Sequence, residues 1–212
     1  MKTFLTSILF LITSSCFEVV ETKNYTIKSI RINNQEWMTT NLDISHFRNG
    51  DLILHAKTDE EWKLAGVNKK PAWCYYDNEL KKGSLYGKLY NFYAVSDARG
   101  IAPIGWHVPS DLEWAKLVDY LGGEDSAGGK LKSKEGWSKN GDNWSESGFS
   151  ALPGGCRTPS GFNGLKKDAI FWSSTEERNE YSWNREIYYR NSHVNRFNYH
   201  NWHGFSVRCI KD

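Results

Sequence analysis

Four segments in the last third of the chain, AIFWSS (169–174), YSWNREIYYR (181–190), HVNRFNY (193–199) and GFSVRCI (204–210), alternate ring-bearing or aliphatic residues with polar ones. Period two is the signature of a half-buried β-strand, because successive side chains leave a pleated backbone on opposite sides. Such strands need a cover for their apolar face. The cover lies just upstream. Ser110 and Glu113 have the spacing of a capping box, Asp111 suits the positive end of a helix dipole, and Gly122-Gly123 ends the helix they start. Within it Trp114, Leu117, Val118 and Leu121 recur at helical spacing and make one apolar face. Strands that need covering and a helix that needs burial predict an α+β domain, a curved antiparallel sheet packed on two to three helices.

The rest of the chain extends this plan. Tyr25, Ile27, Ile30 and Ile32 alternate up to an Asn33-Asn34 turn followed by QEWMTTNL, which predicts a first hairpin. Thr58 with Glu61 predicts a short helix over EEWKLAG, closed by Gly66, and the spacing of Leu89, Tyr90, Tyr93 and Ala94 predicts another over 86–95. Residues 123–147, rich in Gly, Lys, Ser and Asn, read as exposed loop. One domain over 25–212 accounts for the length. Ten Trp and 15% aromatic residues, against a mean hydropathy of -0.63, predict a core of few large rings amid much loop. With 27 Lys plus Arg against 25 Asp plus Glu and no long run of one sign, nothing draws in nucleic acid or an acidic membrane surface.

The start of the chain is a targeting segment. Lys2, an apolar stretch from Phe4 to Ile12 and the small residues Thr13-Ser14-Ser15 give residues 1–15 the form of a signal peptide, ahead of a tether over 16–24. Cys16 directly after the small residues is a lipidation site, which would make an outer-membrane or cell-surface lipoprotein held to the membrane only by that anchor. The alternative is an ordinary signal peptide and a secreted protein. Export favours pairing of thiols, and an odd number of cysteines remains: Cys74, Cys156 and Cys209.

Several motifs stand together in fixed order: NQEWMTTNL, FRNGD, KPAWCYYDN, YGKLYNFYAVSDARG, GWHVPSDLEWAKLVDYLGG, SGFSALPGGCRTPSGF, FWSSTEE and GFSVRCIKD. In these the chain resembles the Fibrobacter succinogenes major paralogous domain, a family of bacterial secreted and surface proteins, over residues 30 to 212. The resemblance implies a C-type-lectin-like fold and leaves activity open. Many relatives carry a cysteine just before the PxGW segment, where this chain has Ala102. The resemblance therefore implies a Cys74–Cys209 disulfide with Cys156 free; Cys156 with Cys209 is the other pairing. VPSDLEW is also similar to the helix entry of the sulfatase-modifying-factor branch, whose catalytic cysteine pair has no counterpart here.

Motifs for chemistry are sparse. His193, His200 and His203 lie in a strand-to-strand region without a nearby carboxylate, so no metal is expected, and the chain lacks the calcium-ligand segments of C-type lectins. There is no Gly-x-Ser-x-Gly, and adjacent Glu176-Glu177 cannot face each other across a glycosidic bond. No cofactor or catalytic residue is assigned. The best binding region runs from Tyr181 to His203, where rings that stack on sugars alternate with fork-like hydrogen-bonding groups; its candidate contacts are Trp183, Tyr189, Asn195, Arg196, Tyr199 and Trp202. At alternate positions half of these face the core, so each reads as framework or as contact. The chain is thus expected to be an exported, non-catalytic binding or display module for a glycan or partner protein, acting without calcium; the alternative is a carbohydrate-active or other enzyme.

Overall fold

The computed structural model describes residues 27–138 and 146–212. The leader, the tether, Cys16 and Tyr25 lie outside the described residues. In chain order the elements are β1 (Ser29–Ile32), β2 (Gln35–Met38), β3 (Leu54–His55), α1 (Asp59–Val67), β4 (Ala72–Cys74), α2 (Leu80–Tyr86), β5 (Leu89–Tyr90), α3 (Phe92–Val95), β6 (Trp106–His107), α4 (Asp111–Tyr120) and α5 (Ala127–Leu131). Six more strands follow: β7 (Gly154–Thr158), β8 (Gly161–Leu165), β9 (Asp168–Arg178), β10 (Tyr181–Tyr188), β11 (Val194–His200) and β12 (Ile210–Lys211). They form sheets in the orders β1-β2-β12-β6, β11-β10-β9-β7-β8 and β3-β4-β5. The domain is α+β.

Both capping boxes form. Thr58 and Ser110 accept from the backbone N–H groups of Glu61 and Glu113, whose carboxylates reach back to the caps. Trp114, Leu117, Val118 and Leu121 are buried as one face, and Trp114 packs against Trp37, Phe149 and Phe171 at ring separations of 4.8, 5.7 and 5.6 Å. The alternation in GFSVRCI divides two cores. Phe205, Val207 and Cys209 enter one cluster and Ile210 the other, while Arg208, fully buried, donates to Asn41 Oδ1 (2.7 Å) and the Met38 carbonyl (2.9 Å) and lies 4.5 Å over the Phe149 ring. Burial pulls its pKa down to about 9, so at neutral pH it remains a charged internal strut.

Three local expectations are corrected. Residues 86–95 are not one helix: Gly87 at φ +76 ends α2, a position that favours glycine, and Asn91 then caps α3 while its carboxamide also ties Ala72 N–H and the Lys70 carbonyl. Gly66 lies inside α1, which runs on to an Asn68 cap. The reason is contact: a Cβ at Gly66 would stand 2.7 Å from the Trp202 Cβ. Within 123–147, α5 forms because Gly128 lets the chain approach the 189–193 turn, donating to the Ser192 carbonyl at 2.8 Å where a Cβ would meet the His193 carbonyl oxygen at 2.3 Å.

The Cys74–Cys209 disulfide is also corrected. Cys74, Cys156 and Cys209 are free and buried. Cys74 packs with Trp62, Tyr76 and Leu89, whereas Cys209 sits in a different cluster with Trp106, Val207 and Ala102, the residue at the relatives' cysteine position. Cys156 shares the Cys209 cluster and is unpaired as well. Burial pushes Cys156 and Cys209 up to about 12 and raises Cys74 further, which leaves all three thiols unreactive.

Candidate functional site

Strands β10 and β11 pair over their whole length, from Ile187↔Val194 to Tyr181↔His200, and β9 flanks β10 on the other side. Alternation gives this ribbon two faces. On the first, Ile187 and Val194 join Ala169, Phe171 and Trp114 in the core beneath α4. The cross-strand pair Arg185 and Arg196 lies on the same face, where two like charges would repel. Asp111 stands between them: Arg185 Nη1 donates to Oδ1 at 2.6 Å, and Arg196 donates Nε and Nη2 at 3.1 and 2.9 Å. Burial of the Asp111 carboxyl pushes its pKa up, but the bonds from Arg196 and Arg185 outweigh it and hold the group below the usual carboxylate range. The Arg196 guanidinium lies 3.3 Å over the Trp183 ring. Two sequence candidates, Trp183 and Arg196, therefore meet in a brace between α4 and the ribbon.

The opposite face carries Ser182, Asn184, Glu186 and Tyr188 from β10, Asn195, Phe197 and Tyr199 from β11, and Asp168 at the start of β9. Glu186 is 1% exposed and Asn184 fully buried. The Tyr188 hydroxyl donates to Glu186 Oε2. Among the described residues, Glu186 Oε1, both amide atoms of Asn184 and Asn195 Nδ2 are buried with no partner. Burial raises the Glu186 pKa, and repulsion from Asp168 adds to it; burial likewise raises Asp168. Tyr199 is pushed up to about 12 by burial and by the Glu186 carboxyl beside it. The Asp168 carboxyl lies where Gly164 leaves space, since a Cβ there would meet Oδ2 at 2.3 Å, and Gly164 itself has φ +75. Each of these groups is shifted toward its protonated form. Its rim is open: Tyr188, Tyr199 and Asn195 are half-buried and Phe197 is 43% exposed.

Thus Asn195 and Tyr199 belong to this polar face, and the remaining candidates stand elsewhere. The Tyr189 hydroxyl accepts from Arg190 Nε at 2.6 Å on the turn. Trp202 is half-buried against α1, its carbonyl accepting from Trp62 Nε1 at 3.0 Å and its ring 4.6 Å from His200. His200 Nε2 lies 3.4 Å from Glu180, and His193 is an exposed turn residue. No group of three or more metal-ligating side chains occurs among the described residues. Glu176 and Glu177 are consecutive on β9 and so leave opposite sides of the strand. Asn184, Glu186 and Asp168 are absent from the sequence candidates. The signal for Asn184 and Glu186 was present in SWNREIY, where Ser182, Asn184 and Glu186 repeat at period two inside a strand flanked by core strands.

A family model described as the Fibrobacter succinogenes major domain matches residues 30–211, and the chain belongs to that family. No match is found among curated proteins or among solved structures.

Proposed function

Starting from its place in the Fibrobacter succinogenes major domain family, we propose that this protein is an exported, non-catalytic binding module, displayed through a lipid on Cys16, that takes a neutral hydroxyl-rich ligand such as a glycan, without calcium, on the polar face of the β9-β10-β11 ribbon. The carrying observation is the set of four buried polar atoms without partners on that one face. Each such atom costs about 1 to 3 kcal/mol in the unliganded fold, a debt that a ligand with the right donors and acceptors removes. A carboxamide offers a donor and an acceptor in one fork, which suits adjacent hydroxyls. A carboxyl that burial shifts toward its protonated form, as at Glu186, adds a further hydrogen-bonding group. Tyr188 and Phe197 supply ring surface beside them. Because the four atoms are buried, binding on this reading requires side chains around them to move aside. A C-type-lectin-like arrangement is part of the proposal; β12 pairing back onto β2 through Ile210↔Trp37 supports it by joining the end of the domain to its beginning.

A screen of the purified protein on glycans and polysaccharides, with and without chelator, tests the reading. Chelator-resistant binding that Asn184→Leu abolishes is expected; binding that needs calcium, or that Asn184→Leu leaves intact, overturns it. Labelling with a clickable fatty acid in the native host should tag the protein and spare Cys16→Ser, and equal labelling of both would remove the anchor. The enzyme alternative draws on the neighbouring Glu186 and Asp168 carboxyls, both shifted upward by burial, the direction a general acid needs. Glycan turnover by the wild type, lost in Glu186→Gln, would favour it.

A further inference from the structure

A cleft of about 330 Å³ opens between α3 and the β9–β10 turn, at the turn end of the ribbon and without Asn184, Glu186 or Asn195 in its lining, which includes Phe92, Tyr93, Glu176, Glu180, Lys69 and Asn201. Its volume falls in the range of small-ligand sites. Phe92 and Tyr93 are consecutive residues of α3. Asn201 is 95% buried and held from three sides, accepting from Ser182 Oγ (2.7 Å) and Phe92 N–H (2.9 Å) and donating its own N–H to the Glu180 carbonyl (2.8 Å). The Tyr93 hydroxyl is buried without a partner among the described residues, in the field of Glu180, Lys69 and Glu176.

The charges are unequal. The Lys69 ammonium pairs with Glu180, and both residues sit at positive φ, +53 and +65, a conformation that is costly for non-glycine residues and persists where the surroundings impose it. Glu176 is exposed, accepts the Glu180 N–H at 3.3 Å, and lies in the field of Lys69 without a direct ion pair among the described residues. One ammonium already occupies one carboxylate of this cleft; the second carboxylate is open beside aromatic side chains, the combination that recognises a cation. Ser96, Ser174 and the Asn201 amide supply partners for ring hydroxyls. We infer that the cleft is a second binding site, separate from the proposed polar face, for a cationic amino sugar whose ammonium pairs with Glu176.

Titration of the purified protein with the trimer of glucosamine, the trimer of N-acetylglucosamine, the trimer of glucose and trilysine tests this directly. The glucosamine trimer should bind, weaken as salt rises, and lose about tenfold or more in affinity in Glu176→Gln, the scale of one charged hydrogen bond. Asn184→Leu, which acts on the other site, should leave that affinity unchanged. No binding of the glucosamine trimer, equal binding of the acetylated or glucose trimer, or an unaltered affinity in Glu176→Gln overturns the inference. Tighter binding of trilysine makes the cleft a protein-recognition site and overturns it too. If Asn184→Leu alone abolishes glucosamine binding, the cleft assignment fails while the polar-face reading stands.

Discussion

The two faces of the β10–β11 ribbon are built from the same alternating sequence yet treat charge in opposite ways. Under α4, Arg185 and Arg196 would repel across the strands, and one carboxylate, Asp111, satisfies both, with Trp183 stacked beneath. On the other side Glu186 is as buried as Arg185 but has only the phenols of Tyr188 and Tyr199 for partners and one oxygen unpaired, next to an Asn184 whose side-chain amide has no partner among the described residues. A face whose charged groups are paired contributes to holding the fold. A face left unpaired lowers stability and persists for another reason, which here is read as binding.

That contrast can be broken most severely at Asp111. Asp111→Ala strands the buried Arg185 and is expected to cost about 3 to 5 kcal/mol in denaturant unfolding; a loss below about 1 kcal/mol would remove the brace from the account. Trp202→Ala comes next. Its side chain packs on Gly66 and is half-buried, so a loss of about 2 to 3 kcal/mol in thermal stability is expected, short of the full cost of a core tryptophan, with ligand affinity unchanged; weakened binding at unchanged stability would return Trp202 to the ligand site. Asn184→Leu should do the reverse of Asp111→Ala, leaving stability equal or raised by about 1 to 2 kcal/mol, because an unpaired amide is replaced by an apolar group of similar size. Clear destabilisation would mean the amide is paired after all.

The smallest effect is the pH dependence, and its sign differs between the faces. Asp111, lowered in the fold, contributes stability above its unfolded pKa that is lost as pH falls through the folded value. Glu186, raised in the fold, contributes stability at low pH that is lost as pH rises from the ordinary carboxylate range to its folded value. Stability measured across this range should therefore decline on the upper side, and Glu186→Gln should flatten the decline. The measurement belongs in a His107→Gln background, since His107 lies between Glu113 (2.9 Å) and Asp212 (2.7 Å), is raised by those partners against the opposing effect of burial, and loses its own contribution as pH rises. An unchanged slope in Glu186→Gln would show that this carboxyl is ionised or solvated.

What could be read from the chain was whatever neighbouring residues decide among themselves. Ser110 with Glu113, Thr58 with Glu61, the Asn33-Asn34 hairpin and the apolar stripe from Trp114 to Leu121 each depend on groups within a few turns, so spacing was enough. The same holds for the alternation in GFSVRCI, which separates Val207 and Cys209 from Arg208. Long-range contact decided the rest. Pro153-Gly154-Gly155 reads as a turn, yet Gly154 begins β7 and Gly155, at φ +65, lies where a Cβ would meet the Asn163 carbonyl oxygen at 2.4 Å, because β8 and β9 press on it from both sides. Leu89 and Tyr90 have helical spacing with Tyr93 but form β5 against Cys74 and Trp73. Period two showed that Trp183 and Asn184 would part to opposite faces. Which face would meet α4, and so whether Arg196 or Asn195 would find a partner, depended on where Asp111 came to rest 85 residues away in sequence.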